Sequence, residues 1–187
     1  MRKIILSMNT SVDGIVSDEL SWMKPDTDQS WNSLFEMLAE VDLLLLGSGM
    51  WPGYSDYWKK ALEQNGFTPN EIKYAQYAEK TRHVVFSAVL QETGWANTII
   101  ERGDLKQYIQ QLKSESGKNI QIVGGGKFAT ACLNTGLVDE YRIMINPVLL
   151  GKGSSLYTHL TTSHELECFK VEPMDNGVII LSYRQLT

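Results

Sequence analysis

Cysteine is scarce in this chain: Cys132 and Cys168 are its only two in 187 residues. They are too few and too far apart for a disulfide framework or a cysteine-rich zinc site. Both are expected as buried thiols, Cys132 at a helix core position. Histidine is hardly more abundant, and His83, His159 and His164 share no ligand spacing, so each reads as a packed or surface residue and no metal is expected. No apolar run is long enough to span a bilayer, and the run after the basic start Met1-Arg2-Lys3 is too short for a signal peptide. A cytoplasmic protein without a membrane partner is expected. Positive charge is in deficit, with 17 Lys and Arg against 22 Asp and Glu and a net charge of −5. The cations are scattered, which argues against nucleic acid, whose backbone needs clustered cations. Also missing are internal repeats, a Gly-x-Ser-x-Gly elbow, a Walker sequence and a Cys/His nucleophile arrangement, which removes the commonest hydrolase and NTPase readings.

What is present is ordinary globular composition, 43% hydrophobic and 21% charged, in a length suited to one core and a single domain over 1–187. Strand and helix patterns alternate. Residues 2–8 read as a buried strand, followed by an Asp13-Gly14 turn and a short extended piece. Trp31, Leu34, Phe35 and Leu38 share one face of a helix at about 29–39, and Val41–Leu46 is a continuous apolar run ending at Gly47, the pattern of a strand at the sheet centre. Helices follow over Tyr54–Glu63 and Pro69–Glu79, then strands at Arg82–Phe86 and Thr98–Ile100. Asp104 is placed to cap a helix carrying Leu105, Tyr108, Ile109 and Leu112. The last third changes character: Glu140–Val148, Leu166–Val171 and Val178–Arg184 read as strands with no long helix between them, so antiparallel strands are expected at that end of the sheet.

Between them lies Ile120-Gln121-Ile122-Val123-Gly124-Gly125-Gly126-Lys127-Phe128, a strand running into three glycines and then a helix ending near Leu133 with Asn134 and Gly136. Backbone amides at a helix N-terminus attract anions, and glycines let a phosphate approach. The same residues also suit a mere tight turn, and spacing alone does not separate the two.

Taken in order, Ser11-Val12-Asp13-Gly14, Gly47, Val123-Gly124-Gly125-Gly126, Leu137-Val138-Asp139-Glu140-Tyr141 and Asn146-Pro147-Val148-Leu149-Leu150-Gly151-Lys152-Gly153 resemble the dihydrofolate reductase-like fold. The closer resemblance is to its branch related to the C-terminal reductase domain of riboflavin biosynthesis deaminase-reductases. That resemblance implies an α/β fold with a central mixed, mostly parallel sheet flanked by helices and with antiparallel C-terminal strands. It implies an NAD(P)H-dependent reductase of a small heterocyclic (pteridine- or pyrimidine-like) or sugar-bearing substrate, working as a homodimer. The cofactor would contact Met8, Asn9, Gly14, Gly47, Ser48, Ser87, Gly124, Gly125, Gly126, Lys127 and Phe128, and relatives join the first two glycines by a cis bond. Two family segments differ here. The Gly-Arg-x-Thr-aromatic pattern appears as Gly47-Ser48-Gly49-Met50-Trp51, and Ser-Arg-Thr-Leu as Ser87-Ala88-Val89-Leu90. Two phosphate-binding cations are absent, each contact worth roughly 1.5–3 kcal/mol, so NADPH, NADH and a flavin all stand as cofactor candidates. A degenerate nucleotide- or flavin-binding protein of the same fold is the alternative.

In dihydrofolate reductases a carboxylate at the start of the first helix serves the substrate, which implies Asp26 or Asp28 here. The alternative for either is a helix N-cap. Trp22, Trp51, Tyr54 and Asn146 are candidate substrate contacts. In the aromatic group Trp51, Tyr54, Tyr57 and Trp58, core packing is expected for Trp58 and either role for Trp51 and Tyr54.

Overall fold

The computed structural model describes residues 1–16 and 21–186. Eight strands form one sheet, β1 (Ile4–Ser11), β2 (Val41–Gly47), β3 (Arg82–Phe86), β4 (Thr98–Glu101), β5 (Asn119–Val123), β6 (Glu140–Asn146), β7 (Leu166–Pro173) and β8 (Ile179–Gln185). They lie in the order β4-β3-β2-β5-β1-β6-β8-β7. The first six are mutually parallel, whereas β8 runs antiparallel to β6 and β7 antiparallel to β8. Five helices complete the fold: α1 (Asp28–Leu38), α2 (Trp51–Leu62), α3 (Pro69–Lys80), α4 (Leu105–Ser114) and α5 (Gly126–Leu133). This is the α/β architecture expected, with its antiparallel C-terminal strands. Among the described residues no helix is long and apolar enough to cross a membrane.

Alternation along the strands divides the core into two layers. Leu43, Leu45, Ile120, Ile122, Ile4 and Leu6 pack on α4 and α5 through Ile109, Leu112, Ala129 and Cys132. Leu44, Leu46, Ile5 and Val85 face α1, α2 and α3 through Trp31, Leu38, Trp51 and Tyr74. Because both faces are covered, the run Leu43–Leu46 is buried throughout. It is nevertheless not the sheet centre: β2 stands third from one edge, and β5 and β1 occupy the middle.

Local chemistry sets the helix starts. Asp104 Oδ1 accepts from the Gln107 N–H at 2.8 Å, capping α4 as expected. α2 begins three residues earlier than its apolar spacing suggested, at Trp51, with Pro52 in the first turn where a missing N–H costs nothing. The cap of α1 is neither aspartate but Thr27, in a reciprocal pair with Ser30.

The two cysteines part ways. Cys132 is buried, and burial pushes its thiol well up, but Cys168 is exposed. It sits on β7, an edge strand bonded on one side only, beside a bulge between Cys168 and Lys170.

Candidate functional site

The carboxyl ends of β1, β2 and β5 open into a cleft of about 1320 Å³, the position where open α/β sheets hold ligands. Its floor is the stripe that β1, β5 and β6 present toward α1, polar at Ser7, Asn9, Gln121 and Arg142 and apolar at Met144. One wall is the glycine turn and the start of α5. The other is formed by α1, α2 and α3 with Trp31, Tyr54, Tyr57, Trp58 and Tyr74.

At the first wall Gly124 and Gly125 both have positive φ, 55° and 81°, which L side chains rarely adopt. A Cβ on Gly124 would stand 3.3 Å from Met50 Sδ. The Gly124–Gly125 bond is trans, as are all peptide bonds among the described residues, so the cis bond expected from the family does not occur and the turn takes its shape from the two φ angles. Gly125 caps α5 without any side chain in attendance, leaving the first-turn amides beside the cleft. Lys127 is exposed next to them. A bare backbone cradle, a helix N-terminus and one cation fit a dinucleotide's pyrophosphate.

Across the cleft Asp26 lies 3.0 Å from Ser30 Oγ. As a residue it is exposed, yet protein surrounds its carboxyl in the concave wall. Desolvation raises its pKa above the usual carboxylate range, against the Ser30 hydrogen bond and with help from the Glu71 charge. Glu71 itself stays below that range: burial pushes it up, but hydrogen bonds from Tyr57 and Thr68 outweigh this. Tyr57 is pushed up to about 12 by desolvation and by its bond to Glu71. Of the two carboxyls that line the cleft among the described residues, Asp26 is therefore the more easily protonated.

The structure brings together most of the residues expected from sequence. Met8, Asn9, Gly47, Ser48, Gly124, Gly125, Gly126, Lys127, Phe128, Trp22, Tyr54 and Asp26 line the cleft. The others are employed elsewhere. Gly14 shapes the turn closed by its N–H on the Ser11 carbonyl. Ser87 Oγ accepts from the amides of Val89 and Leu90. Trp51 is core, 2% exposed, its Nε1 donating to the Thr93 carbonyl. Asp28 accepts from Asn70 Nδ2, and Asn146 lies behind Asn9. Trp58, expected in the core, packs half-buried against it, its ring 4.4 Å from that of Tyr74, and also forms part of the wall. Asp13 clamps the opening turn to the loop after β6 by accepting from Ser11, Gly151 and Leu150, which lowers its pKa to about 2.

Two floor residues escaped the sequence reading, Gln121 and Arg142. Each is a lone polar residue inside a buried apolar strand, Ile120-Gln121-Ile122 and Tyr141-Arg142-Ile143, and that interruption is the signal that could have found them. Arg142 donates to Ser33 Oγ at 2.8 Å and pairs with Glu172. Burial lowers its pKa, partly opposed by Glu172. Trp22 Nε1, Gln121 Oε1 and Arg142 Nε are buried without a partner among the described residues, and all three residues line this one cleft. Unpaired buried groups cost about 1–3 kcal/mol each, so the floor is suited to a polar ligand.

Residues 2–180 match the model of the RibD C-terminal domain. The chain belongs to that family. The RibD C-terminal domain accounts for nearly the whole sequence, and its fold is that of the riboflavin-pathway reductases. Among similar chains, the uncharacterized protein YyaP of Bacillus subtilis is 26% identical over 97% of this chain and 94% of its own length. Among solved structures, a putative riboflavin biosynthesis protein of Shewanella sp. PV-4 superposes with a TM-score of 0.74 at 22% identity, covering 100% of both chains. A dihydrofolate reductase of Enterococcus faecalis complexed with NADP(H) gives 0.62 at 10% identity, over 99% of this chain and 97% of that one. These likenesses establish a dihydrofolate reductase-like fold.

Proposed function

We propose that this RibD C-terminal domain protein is an NAD(P)H-dependent reductase of a small heterocyclic, pteridine- or pyrimidine-like, or sugar-bearing substrate. The observation that carries the reading is the opposition, across one cleft, of an uncapped glycine turn at α5 and a carboxyl, Asp26, whose pKa desolvation raises. The dinucleotide supplies a hydride. Gly124, Gly125, Gly126 and Lys127 hold its phosphates, and Met8 borders the ring end, with Asn9 beside it on the floor that faces the substrate. The substrate lies over the Gln121–Arg142 floor under Trp31 and Leu34. Asp26 delivers a proton to the substrate atom that gains charge, the general-acid role its raised pKa favours. Edge strand β7 exposes Phe169 and Val171, which supports a homodimer joined there.

One observation favours a second reading, a nucleotide or flavin binder without catalysis. Ser87 is already committed to its own turn, and beside the glycine turn Lys127 is the sole cation among the cleft-lining residues Gly47–Met50 and Gly124–Phe128.

The first test is a titration of the purified protein's tryptophan fluorescence with NADPH, NADH and FMN. Micromolar quenching by a nicotinamide nucleotide is what the reductase requires and chooses its cofactor, and oxidation of that nucleotide on addition of a heterocyclic substrate separates the reductase from a binder without catalysis. A response to FMN alone favours the second reading, and silence toward both nicotinamide nucleotides at millimolar concentration sinks the first.

A further inference from the structure

Asn146 ends β6 and is 1% exposed. Two backbone groups of fixed character surround its amide. The Lys24 N–H, which can only donate, lies 2.8 Å from Oδ1, and the Met144 carbonyl, which can only accept, lies 3.4 Å from Nδ2. The Asn146 amide thus has one orientation. Asn9 is its neighbour on the adjacent strand, Asn9 pairing with Met144 and Ser11 with Asn146, so the two side chains lie diagonally on one face of the sheet. Asn146 Nδ2 sits 3.0 Å from the Asn9 amide, and a donor there demands an oxygen: Asn9 turns Oδ1 toward it. Asn9 lines the cleft, and its own Nδ2 has no partner among the described residues. The Lys24 backbone therefore dictates, through Asn146, which end of Asn9 remains for a ligand.

We propose that Asn146 is a positioning residue that fixes the polarity of the Asn9 amide, so that Asn9 donates an N–H to an acceptor atom, a ring carbonyl oxygen, of the molecule bound in the cleft. This deepens the reading of the cleft as the site of a small heterocycle and rests on it. The unpaired atoms of the same floor point the same way. Arg142 Nε and Trp22 Nε1 are further donors, against Gln121 Oε1 as acceptor. A ring rich in carbonyls with an N–H matches that set. A ring edged with amino groups sets donor against donor at Asn9, and such mismatches are strongly rejected where water is excluded.

The test reads preference between two ligands of one skeleton, a dioxopteridine and the corresponding diaminopteridine, by calorimetry. The wild-type protein is expected to favour the dione by at least about tenfold. Asn9→Asp keeps the shape but offers only acceptors, and reverses the preference. Asn146→Asp does the same from outside the cleft. Its carboxylate still accepts from Lys24 but can no longer donate to Asn9, so Asn9 turns its Nδ2 inward and shows oxygen to the ligand. Simple structural damage weakens both ligands without reversing their order. A wild-type protein that binds the diamine as well as the dione, or binds neither, overturns the proposal, as does a folded Asn146→Asp with unchanged preference.

Hydrogen exchange of the side-chain amides, followed by NMR without ligand, gives an independent reading. Asn146 should exchange slowly and Asn9 fast in the wild type, and Asn9 slowly in Asn146→Asp. A protected Asn9 amide in the wild type also overturns the proposal. Failure of NADPH to bind would instead strike the reductase reading and leave this exchange pattern in place.

Discussion

Tyr54 donates its phenolic hydrogen to His83: Oη lies 3.2 Å from Nε2. The direction is fixed from the far side of the ring, where His83 Nδ1 lies 2.9 Å from the Thr81 carbonyl and must carry the hydrogen. Tyr74 completes the chain, its hydroxyl 3.2 Å from that of Tyr54. A neutral histidine, fully buried, thereby holds one ring of the cleft wall in place.

Burial lowers the His83 pKa from 6.5 to about 4. A folded pKa below the unfolded one means the unfolded chain takes up the proton first. Stability is then full above pH 6.5 and is lost as pH falls from 6.5 toward 4, by roughly 3 kcal/mol in all. Urea midpoints between pH 7 and pH 4.5 should fall more steeply for the wild type than for His83→Gln, which has nothing to titrate. Parallel slopes would refute a buried neutral imidazole.

Asp26 has the opposite sign. Its folded pKa is raised, so ionisation costs stability above that pKa and the cost disappears as pH falls below it. Asp26→Asn should therefore leave the urea midpoint at pH 7 unchanged or higher. The same substitution removes the proton donor and should lower kcat about a hundredfold with whichever nicotinamide nucleotide binds. It should also flatten the wild type's decline in rate with rising pH. The matching change Asp28→Asn, outside the cleft, should do neither. Equal loss in both variants would point to helix α1 rather than to proton transfer.

Lys127 is exposed beside the glycine turn, where an ammonium meets phosphate with water still present. Lys127→Met should weaken NADPH about tenfold at low ionic strength and by less at high salt, since exposed charges are screened. Affinity measured at two salt concentrations checks this, and an unchanged Kd would remove Lys127 from the phosphate site.

The homodimer reading is open to a surface change. Phe169 and Val171 are exposed on edge strand β7, and a charge there blocks strand addition without touching the core. Val171→Lys should sediment as a monomer at concentrations where the wild type is a dimer. A wild-type monomer at high micromolar concentration would dispose of the interface.

The order and kind of the elements were legible because apolar spacing is a local property: Arg82–Phe86 is the strand expected, and the Asp104 cap stands where it was expected. The glycine turn was legible too, since three glycines between a strand and a helix admit few geometries. Residue roles within the site were harder to read, because they depend on partners far away in sequence. Trp51 and Tyr54 share one helix, yet Trp51 is turned into the core by Thr93 while Tyr54 is held in the wall by His83. Asn146 was expected to touch a ligand and instead orients Asn9, 137 positions away in the chain. Cys168 looked like any buried thiol until the strand order put β7 at the edge.

The junction of β2 with α5 gives the most direct test that the glycine turn must be held in register. Gly47 ends β2, and a Cβ there would stand 2.7 Å from Phe128 Cβ and 3.1 Å from its Cγ. A Cβ cannot swing aside as the tip of a side chain can, so Gly47→Ala must push the first turn of α5 away from the sheet. The expected cost is about 1–3 kcal/mol of stability. Nicotinamide nucleotide binding should weaken as well, because the amides of Gly126 and Lys127 move with Phe128. Gly53→Ala is the matched control: nothing lies within 4 Å of its Cβ, and it falls inside α2. There alanine is the better helix former and should add about 0.5–1 kcal/mol. If Gly47→Ala melts with the wild type and binds NADPH equally well, the turn is not held by its contact with β2.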